Sequence, residues 1–359
     1  MNTGGRPGGG ADPASKKSTE VGKWADEAMF TAEKHESTRP VVHLIAMNAD
    51  PLGQIAACAK MYKGEVVRSL GDVTHQEREY YLSQMQLTKL KMPLEAVTFH
   101  FMLENVTRAF THQLVRQRTA AYAQESMRFA VIEDLGSSVG LPPSLAGTIP
   151  TAQYIREQLK PETLSTYEWE AIDKHWFISQ HGSPEQIARM QWDEAVAGIE
   201  RSYTFLVNTG MPAEDARGLL PTNVLTRVNY ITNLRALLDH SGNRLCTQAQ
   251  FEWRLVFAEI AAAIRNYKPL KNWYNAAIDD DGLSSLHIID EADRWQFEAI
   301  SQLFKPVCYQ IGHCAFGAEF DRKCSIRDRV QAHAKRGEAP VEWVDIETRE
   351  WLTDPAAAR

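Results

Sequence analysis

Residues 105–132 read Asn-Val-Thr-Arg-Ala-Phe-Thr-His-Gln-Leu-Val-Arg-Gln-Arg-Thr-Ala-Ala-Tyr-Ala-Gln-Glu-Ser-Met-Arg-Phe-Ala-Val-Ile. Val106, Phe110, Gln113 and Leu114 fall on one helical face, so residues 105–117 are expected to form a helix with Arg116 and Arg118 at its C-terminal end. Ser126 and Arg128 follow, then a β-leaning run over residues 129–132. A helix end and a strand start would then present Gln113, Arg116, Arg118, Ser126 and Arg128 from two sides of one irregular turn. Three guanidiniums with a hydroxyl and an amide suit a multiply charged oxyanion, because Arg offers a planar, permanently charged fork of donors. For any one of these arginines taken singly, relief of the helix dipole or pairing with a surface carboxylate is the competing reading.

Outward from this stretch, the chain has the make-up of a globular protein: 359 residues, 44% hydrophobic and 24% charged. That length holds one large domain or two modest ones. A net charge of −7 and a pI near 5.9 count against a general affinity for nucleic acid or acidic membranes. No apolar stretch approaches the ~20 residues of a membrane span and no signal-peptide pattern opens the chain. Five scattered cysteines do not make a disulfide framework, so a reducing cytoplasm is expected.

Residues 1–38, rich in Gly, Ser and Lys, are expected to be a disordered tail, since they bury too little apolar area to offset the entropy of ordering. A strand over 41–45, a helix opened by Asp50-Pro51, a helix from Thr74 to about Leu90 and a strand from Leu94 to Leu103 lead into the arginine stretch. Residues 133–182, with Gly-Ser-Ser and Pro142-Pro143, are expected as an insertion packed on the core. Ser183-Pro184-Glu185-Gln186 is a helix start, with Gln186 at the capping-box position, and the helix it opens carries Trp192, Val196, Ile199, Tyr203 and Leu206 as a buried stripe. Pro212–Leu219 is a short helix, and Asn223–Tyr230 alternates as a strand.

A second informative stretch is Asn233-Leu-Arg235-Ala-Leu-Leu-Asp239-His-Ser-Gly-Asn-Arg244-Leu-Cys-Thr-Gln248-Ala-Gln250-Phe-Glu252. Gly242 is expected to stop one helix and Thr247 to cap the next, which runs to about Asn266, so that Asn233, Arg235, Asp239 and Arg244 cluster at the corner. Further on, Asp279-Asp280-Asp281-Gly282 lacks the Glu that completes a calcium loop. Cys308, His313, Cys314 and Cys324 lack paired zinc knuckles, so no metal is expected.

Two motifs carry a resemblance to a known family. Arg116-x-Arg118, seven residues, then Ser126 and Arg128-Phe129 resembles the fingerprint of the flavin-dependent thymidylate synthases. Asn233-x-Arg235, followed by Arg244 and Gln250-x-Glu252, is similar to their second conserved corner. The family usually has His where Gln117 stands, Tyr at Phe129, Glu at Gln124, Asn at Asp239 and His at Gln248, and it has a His with no counterpart beside Pro93-Leu94-Glu95. The likeness spans roughly residues 41–268 without the insertion. It implies an α+β fold, a mixed or antiparallel sheet flanked by long helices, with a catalytic domain over 39–268 and a C-terminal extension over 269–359.

The same resemblance implies transfer of a one-carbon unit from methylenetetrahydrofolate to C5 of dUMP, with FAD reduced by NADPH, in a homotetramer with shared active sites. It assigns Gln113, Arg116, Gln124, Glu125, Ser126, Met127, Arg128, Arg217 and Arg244 to dUMP. Arg116, Gln117, Arg118, Gln124, Asn233, Arg235 and Asp239 are assigned to FAD, and Arg244 is the expected catalytic residue. No cysteine follows a proline, as the thiolate-dependent thymidylate synthases usually have it, which suits chemistry carried by a flavin. Methyl or hydroxymethyl transfer to another pyrimidine nucleotide (dCMP or UMP), and a non-catalytic nucleotide-binding relative, stand as the alternatives.

Overall fold

A computed structural model describes residues 39–128, 131–132, 134–145, 148–159, 173–246, 249–267 and 291–308. In chain order the elements are β1 (Val41–Met47), α1 (Pro51–Met61), α2 (His75–Leu87), β2 (Thr98–Thr107), α3 (Arg108–Leu114), β3 (Ala121–Gln124), α4 (Leu135–Ser138), α5 (Thr151–Leu159), α6 (Lys174–His181), α7 (Pro184–Asn208), α8 (Ala213–Ala216), β4 (Leu225–Asn233), α9 (Leu234–Arg244), α10 (Glu252–Arg265) and α11 (Glu291–Ser301). The fold class is α+β, and the chain divides into two compact units.

One unit comprises Arg39–Glu125 and the chain from Leu225 onward. Its four strands pair antiparallel in the order β1-β2-β4-β3, with Phe101 opposite Tyr230 and Tyr230 opposite Tyr122. Phe99, Phe101 and Leu103 of β2 and Val228 and Tyr230 of β4 point to the same buried face, as period-two alternation requires. Against that face pack Leu52 and Ile55 of α1, Trp253, Val256 and Phe257 of α10, and Phe297 and Ile300 of α11. Each fully buried side chain of this kind contributes roughly 1.5–3 kcal/mol, so this single apolar face dominates the stability of the unit. The helix ends are well capped. Asp50 accepts from Gly53 N at 2.8 Å and pairs with Arg78 at 2.6 Å, and Thr74 forms a reciprocal capping box with Glu77.

The other unit, described from Ser126 to Val224, is built on the 25-residue α7. Trp192, Val196 and Ile199 pack on a small core of Leu135, Val139 and Val224, and Tyr203 is buried. Ser183 caps α7 by accepting from Gln186 N, but the Gln186 side chain donates to Ile149 O instead of closing a capping box. Arg189, 2% exposed, pairs with Asp193 at 2.8 Å within α7 and donates to Thr148 O, and the latter bond ties α7 to the residues before α5.

Several boundaries differ from the sequence expectations. The helix expected from residue 105 begins at Arg108, because β2 runs on through a bulge between Leu103 and Val106. Asn105 takes the left-handed backbone of that bulge at φ 55°, which Asn tolerates better than most residues, and Thr107 becomes the cap. β3 was not foreseen; its four residues, two of them Ala, carry little β-signal. Residues 131–132 of the expected strand are not in a strand, and 129–130 lie outside the described residues. The strand expected from Leu94 begins at Thr98 after a 3-10 turn (Met92–Ala96), and that expected at Asn223 runs from Leu225 to Asn233. Gly242 stops nothing: it is buried inside α9, which continues to Arg244, so packing outweighs its helix cost of about 1 kcal/mol. α10 starts at Glu252, and Thr247, like the tail, the acidic run at 279–281 and Cys314 and Cys324, lies outside the described residues.

Candidate functional site

In the sheet unit, α3 ends at Leu114 and hands the chain to the turn bearing Arg116, Gln117 and Arg118. The Tyr122 hydroxyl reaches the carbonyls of Leu114 and Gln117, each at 2.8 Å, and pins that turn to β3. Burial holds the Tyr122 phenol well above its ordinary pKa and pushes that of Tyr230, stacked on it at 5.5 Å, up to about 12, so both hydroxyls stay neutral. Gln117 donates to Ala236 O at 2.9 Å, tying the turn to the first turn of α9. Arg116 and Arg118 are exposed. Gln124 donates to Thr111 Oγ1, and Glu125 lies within 3.7 Å of Arg227 while its carbonyl accepts from Arg108.

Asn233 caps α9 by accepting from Ala236 N at 2.9 Å, which leaves its amide nitrogen as a donor. Arg235, one turn in, pairs with Glu95 at 2.5 Å. Asp239 is exposed and makes no ion pair among the described residues. Arg244 closes the far end. The four do not cluster at a corner as expected, because they lie along a continuous helix whose ends are about 16 Å apart at 1.5 Å per residue.

Around Arg244 the packing is dense. Its guanidinium lies 5.2 Å from the Trp253 ring centroid and donates to Gln113 Oε1 at 2.9 Å. Trp253 Nε1 donates to the same oxygen at 3.0 Å. Gln113 Nε2 donates to Gln250 Oε1 at 2.7 Å, Gln250 Nε2 to Glu252 Oε2 at 2.9 Å, and Thr107 gives Glu252 both its N–H and its hydroxyl. Burial raises the Glu252 pKa, and these donors oppose the rise. His240, one turn before Arg244, packs edge-on to Trp253 at 4.5 Å, and burial with the nearby Arg244 charge holds its pKa down to about 4. Burial and then the Arg116 charge lower the pKa of Arg244 itself, so two guanidiniums repel each other here. Gln250, Glu252, Trp253 and Thr107 were given no role from sequence; the Gln250-x-Glu252 spacing was the available signal.

In the α7 unit, Ser126 Oγ accepts from Arg128 N at 3.3 Å, and Met127 packs against the small core. Arg128 Nε donates to the Glu214 carboxylate at 3.1 Å, and Arg217 Nε to the Glu214 carbonyl at 2.9 Å. Glu214 thus engages both guanidiniums, Arg128 through its carboxylate and Arg217 through its backbone carbonyl. Among the described residues no group of acids, histidines and cysteines could hold a metal ion, and no helix is long and apolar enough to cross a membrane.

Comparison with known proteins adds to this geometry. The chain is 26% identical over 235 residues to a flavin-dependent thymidylate synthase of Geobacter sulfurreducens, covering 64% of this chain and 83% of that one. It is 29% identical over 239 residues to one of Pyrococcus horikoshii, covering 65% and 83%. Among solved structures, the UMP/dUMP methylase PolB from Streptomyces cacaoi bound with 5-Br dUMP aligns at 18% identity and a TM-score of 0.44, over 62% of this chain and 89% of that one. Residues 43–270, which contain both motifs and every residue described above around Arg244, match the family model described as thymidylate synthase complementing protein, and the chain belongs to that family of flavin-dependent thymidylate synthases.

Proposed function

We propose that the protein makes dTMP, transferring a one-carbon unit from methylenetetrahydrofolate to C5 of dUMP. The observation that carries this reading is the fixed guanidinium of Arg244, which donates to Gln113 Oε1 at 2.9 Å and lies over Trp253. The Arg116 charge is near enough to lower its pKa further after burial, and neither arginine is in an ion pair among the described residues. Two neighbouring cations with no carboxylate paired to either among the described residues favour an anionic ligand, since a phosphate or an electron-rich pyrimidine edge relieves their repulsion. Family membership narrows that anion to a pyrimidine nucleotide.

The donors also fit a flavin nucleotide. Arg118 is exposed and outside any ion pair among the described residues, Asn233 keeps an amide nitrogen to donate, and Arg235 pairs with an exposed Glu95. Together with Arg116, Gln117 and Gln124 these residues would hold FAD. Bound FAD, reduced by NADPH, would supply the hydride that converts the transferred methylene to methyl.

The chain's own residues bind and polarise. Gln124, Glu125, Ser126, Met127, Arg128 and Arg217, with Arg116, are assigned to dUMP and chiefly to its phosphate. Arg244 faces the pyrimidine, where a fixed cation stabilises negative charge at N3 and the adjacent carbonyl and makes C5 more nucleophilic. The working form is a cytoplasmic homotetramer with shared active sites. Purified protein should carry or take up flavin and show its yellow absorbance. Mass analysis after incubation with dUMP, methylenetetrahydrofolate and NADPH should show dTMP. A colourless protein that FAD does not colour, or a hydroxymethylated product, would overturn this assignment.

A further inference from the structure

We propose that Gln113, Gln250 and Glu252 form a positioning relay that holds the Arg244 guanidinium in one orientation, a role that rests on the nucleotide site proposed above. The direction of every bond follows from chemistry. Arg244 and Trp253 have only donors to offer, and both aim at one oxygen of Gln113. Gln113 must therefore turn its nitrogen to Gln250, which must answer with its own oxygen and so turn its nitrogen to Glu252. The chain can end only on an acceptor. Glu252 supplies one as a carboxylate, and three donors converge on it: Thr107 N, Thr107 Oγ1 and Gln250 Nε2.

The ends of this relay are rigid. Thr107 is the cap of α3 and accepts from Phe110 N at 3.1 Å, while its partner Glu252 is the first residue of α10. Trp253, 1% exposed, is locked between Phe110, His240 and Phe257. A guanidinium bonded at one edge to a fixed amide and stacked over a fixed indole has little rotational freedom left. Gln113 thus has both ends of its amide engaged inside the protein, which makes it a positioning residue for Arg244.

Gln250 is the place to test this, because its side chain bonds to Gln113 and Glu252 and, among the described residues, makes no hydrogen bond to Arg244. Gln250→Met removes both bonds at similar volume. It should lower kcat by about tenfold or more, the loss expected when one charge-assisted bond is no longer oriented, with KM for dUMP changing less than about threefold. The indole N–H resonance of Trp253, assigned by its loss in Trp253→Phe, should shift in the same variant although that nitrogen bonds to Gln113 and not to Gln250. Gln250→Glu tests the relay's direction. Its neutral carboxyl can accept from Gln113 and donate to Glu252 as the amide does, whereas its ionised form cannot donate. Its activity relative to wild type should therefore rise as pH falls. Wild-type kcat in Gln250→Met with an unmoved indole resonance would overturn the relay. If that variant does not fold, a pH-independent activity ratio in Gln250→Glu would do the same. Failure of the wild-type protein to make dTMP would refute the function alone, since the indole resonance reports the relay without turnover.

Discussion

Replacing Arg244 by Lys keeps the charge and removes the fork. In the structure the guanidinium does two things at once: it donates to Gln113 Oε1 at 2.9 Å and lies over the Trp253 ring at 5.2 Å. A lysine ammonium is a strongly hydrated point charge on a flexible stem, and it cannot bond at one edge while stacking with a planar face. The bond to Gln113 involves a charged donor, a class worth roughly 1.5–3 kcal/mol. Misplacing the cation by that amount of restraint corresponds to about 10- to 100-fold in rate at 1.4 kcal/mol per decade. Steady-state conversion of dUMP to dTMP should therefore fall by that factor in kcat for Arg244→Lys, while dUMP affinity, which depends more on charge than on orientation, should fall less. Far-UV circular dichroism matching wild type would show that the fold is intact. A folded Arg244→Lys enzyme with wild-type kcat would refute the reasoning that the oriented guanidinium, and not merely a cation, is required.

Other perturbations follow from the same contacts. Glu214→Gln removes the carboxylate that engages Arg128; the exposed pair is worth up to about 1 kcal/mol, so calorimetric dUMP affinity should rise by up to about fivefold, and a weaker affinity would contradict the phosphate role of Arg128. Asp193→Ala strands the charge of Arg189, 2% exposed, and should cost about 3–5 kcal/mol, read as a lower urea midpoint; an unchanged midpoint would show the ion pair is dispensable. His240 titrates near 6.5 when unfolded but near 4 when folded, so the unfolded state binds the proton first and stability drops as pH falls between those values, by up to about 3 kcal/mol. His240→Phe should lose that slope in urea titrations at pH 4 to 7, and a retained slope would assign it to another group.

The parts of the fold that were legible before the structure are those whose signals are local. The Thr74–Glu77 capping box, the Asp50-Pro51 and Ser183-Pro184 helix starts and the stripe Trp192, Val196, Ile199 and Tyr203 all encode their own geometry within a few residues. Errors fall where a distant partner decides. Helical spacing at Val106 and Phe110 suggested an earlier helix, but Val106 is paired with Thr226 across the sheet, and that ladder keeps residues up to Thr107 extended. Gly242 has the local character of a helix stop, yet the packing around it carries α9 on to Arg244. At the site, charge and motif spacing identified the arginines. They did not foretell that Gln113 would be consumed by Arg244, Trp253 and Gln250, because residues 113 and 250 meet only through the packing of α3 on the start of α10.

Gln117 joins these two levels. It stands where the family usually has His, and its amide donates to Ala236 O in the first turn of α9 while its backbone carbonyl takes the Tyr122 hydroxyl. One side chain thus ties the arginine turn to the helix bearing Asn233, Arg235 and Arg244. A neutral imidazole could also donate to that carbonyl, but below its ordinary pKa of about 6.5 it would add a cation beside Arg116 and Arg118. The amide keeps the bond and removes the titration from a region where guanidiniums already repel. In Gln117→His, FAD affinity divided by the wild-type value should accordingly rise as pH falls through about 6.5, because the imidazolium attracts a pyrophosphate whose own charge does not change there. Fluorescence titration of FAD at pH 5.5 to 8 measures that ratio. A ratio that stays flat would place residue 117 away from the cofactor and leave Gln117 as a structural tie between turn and helix.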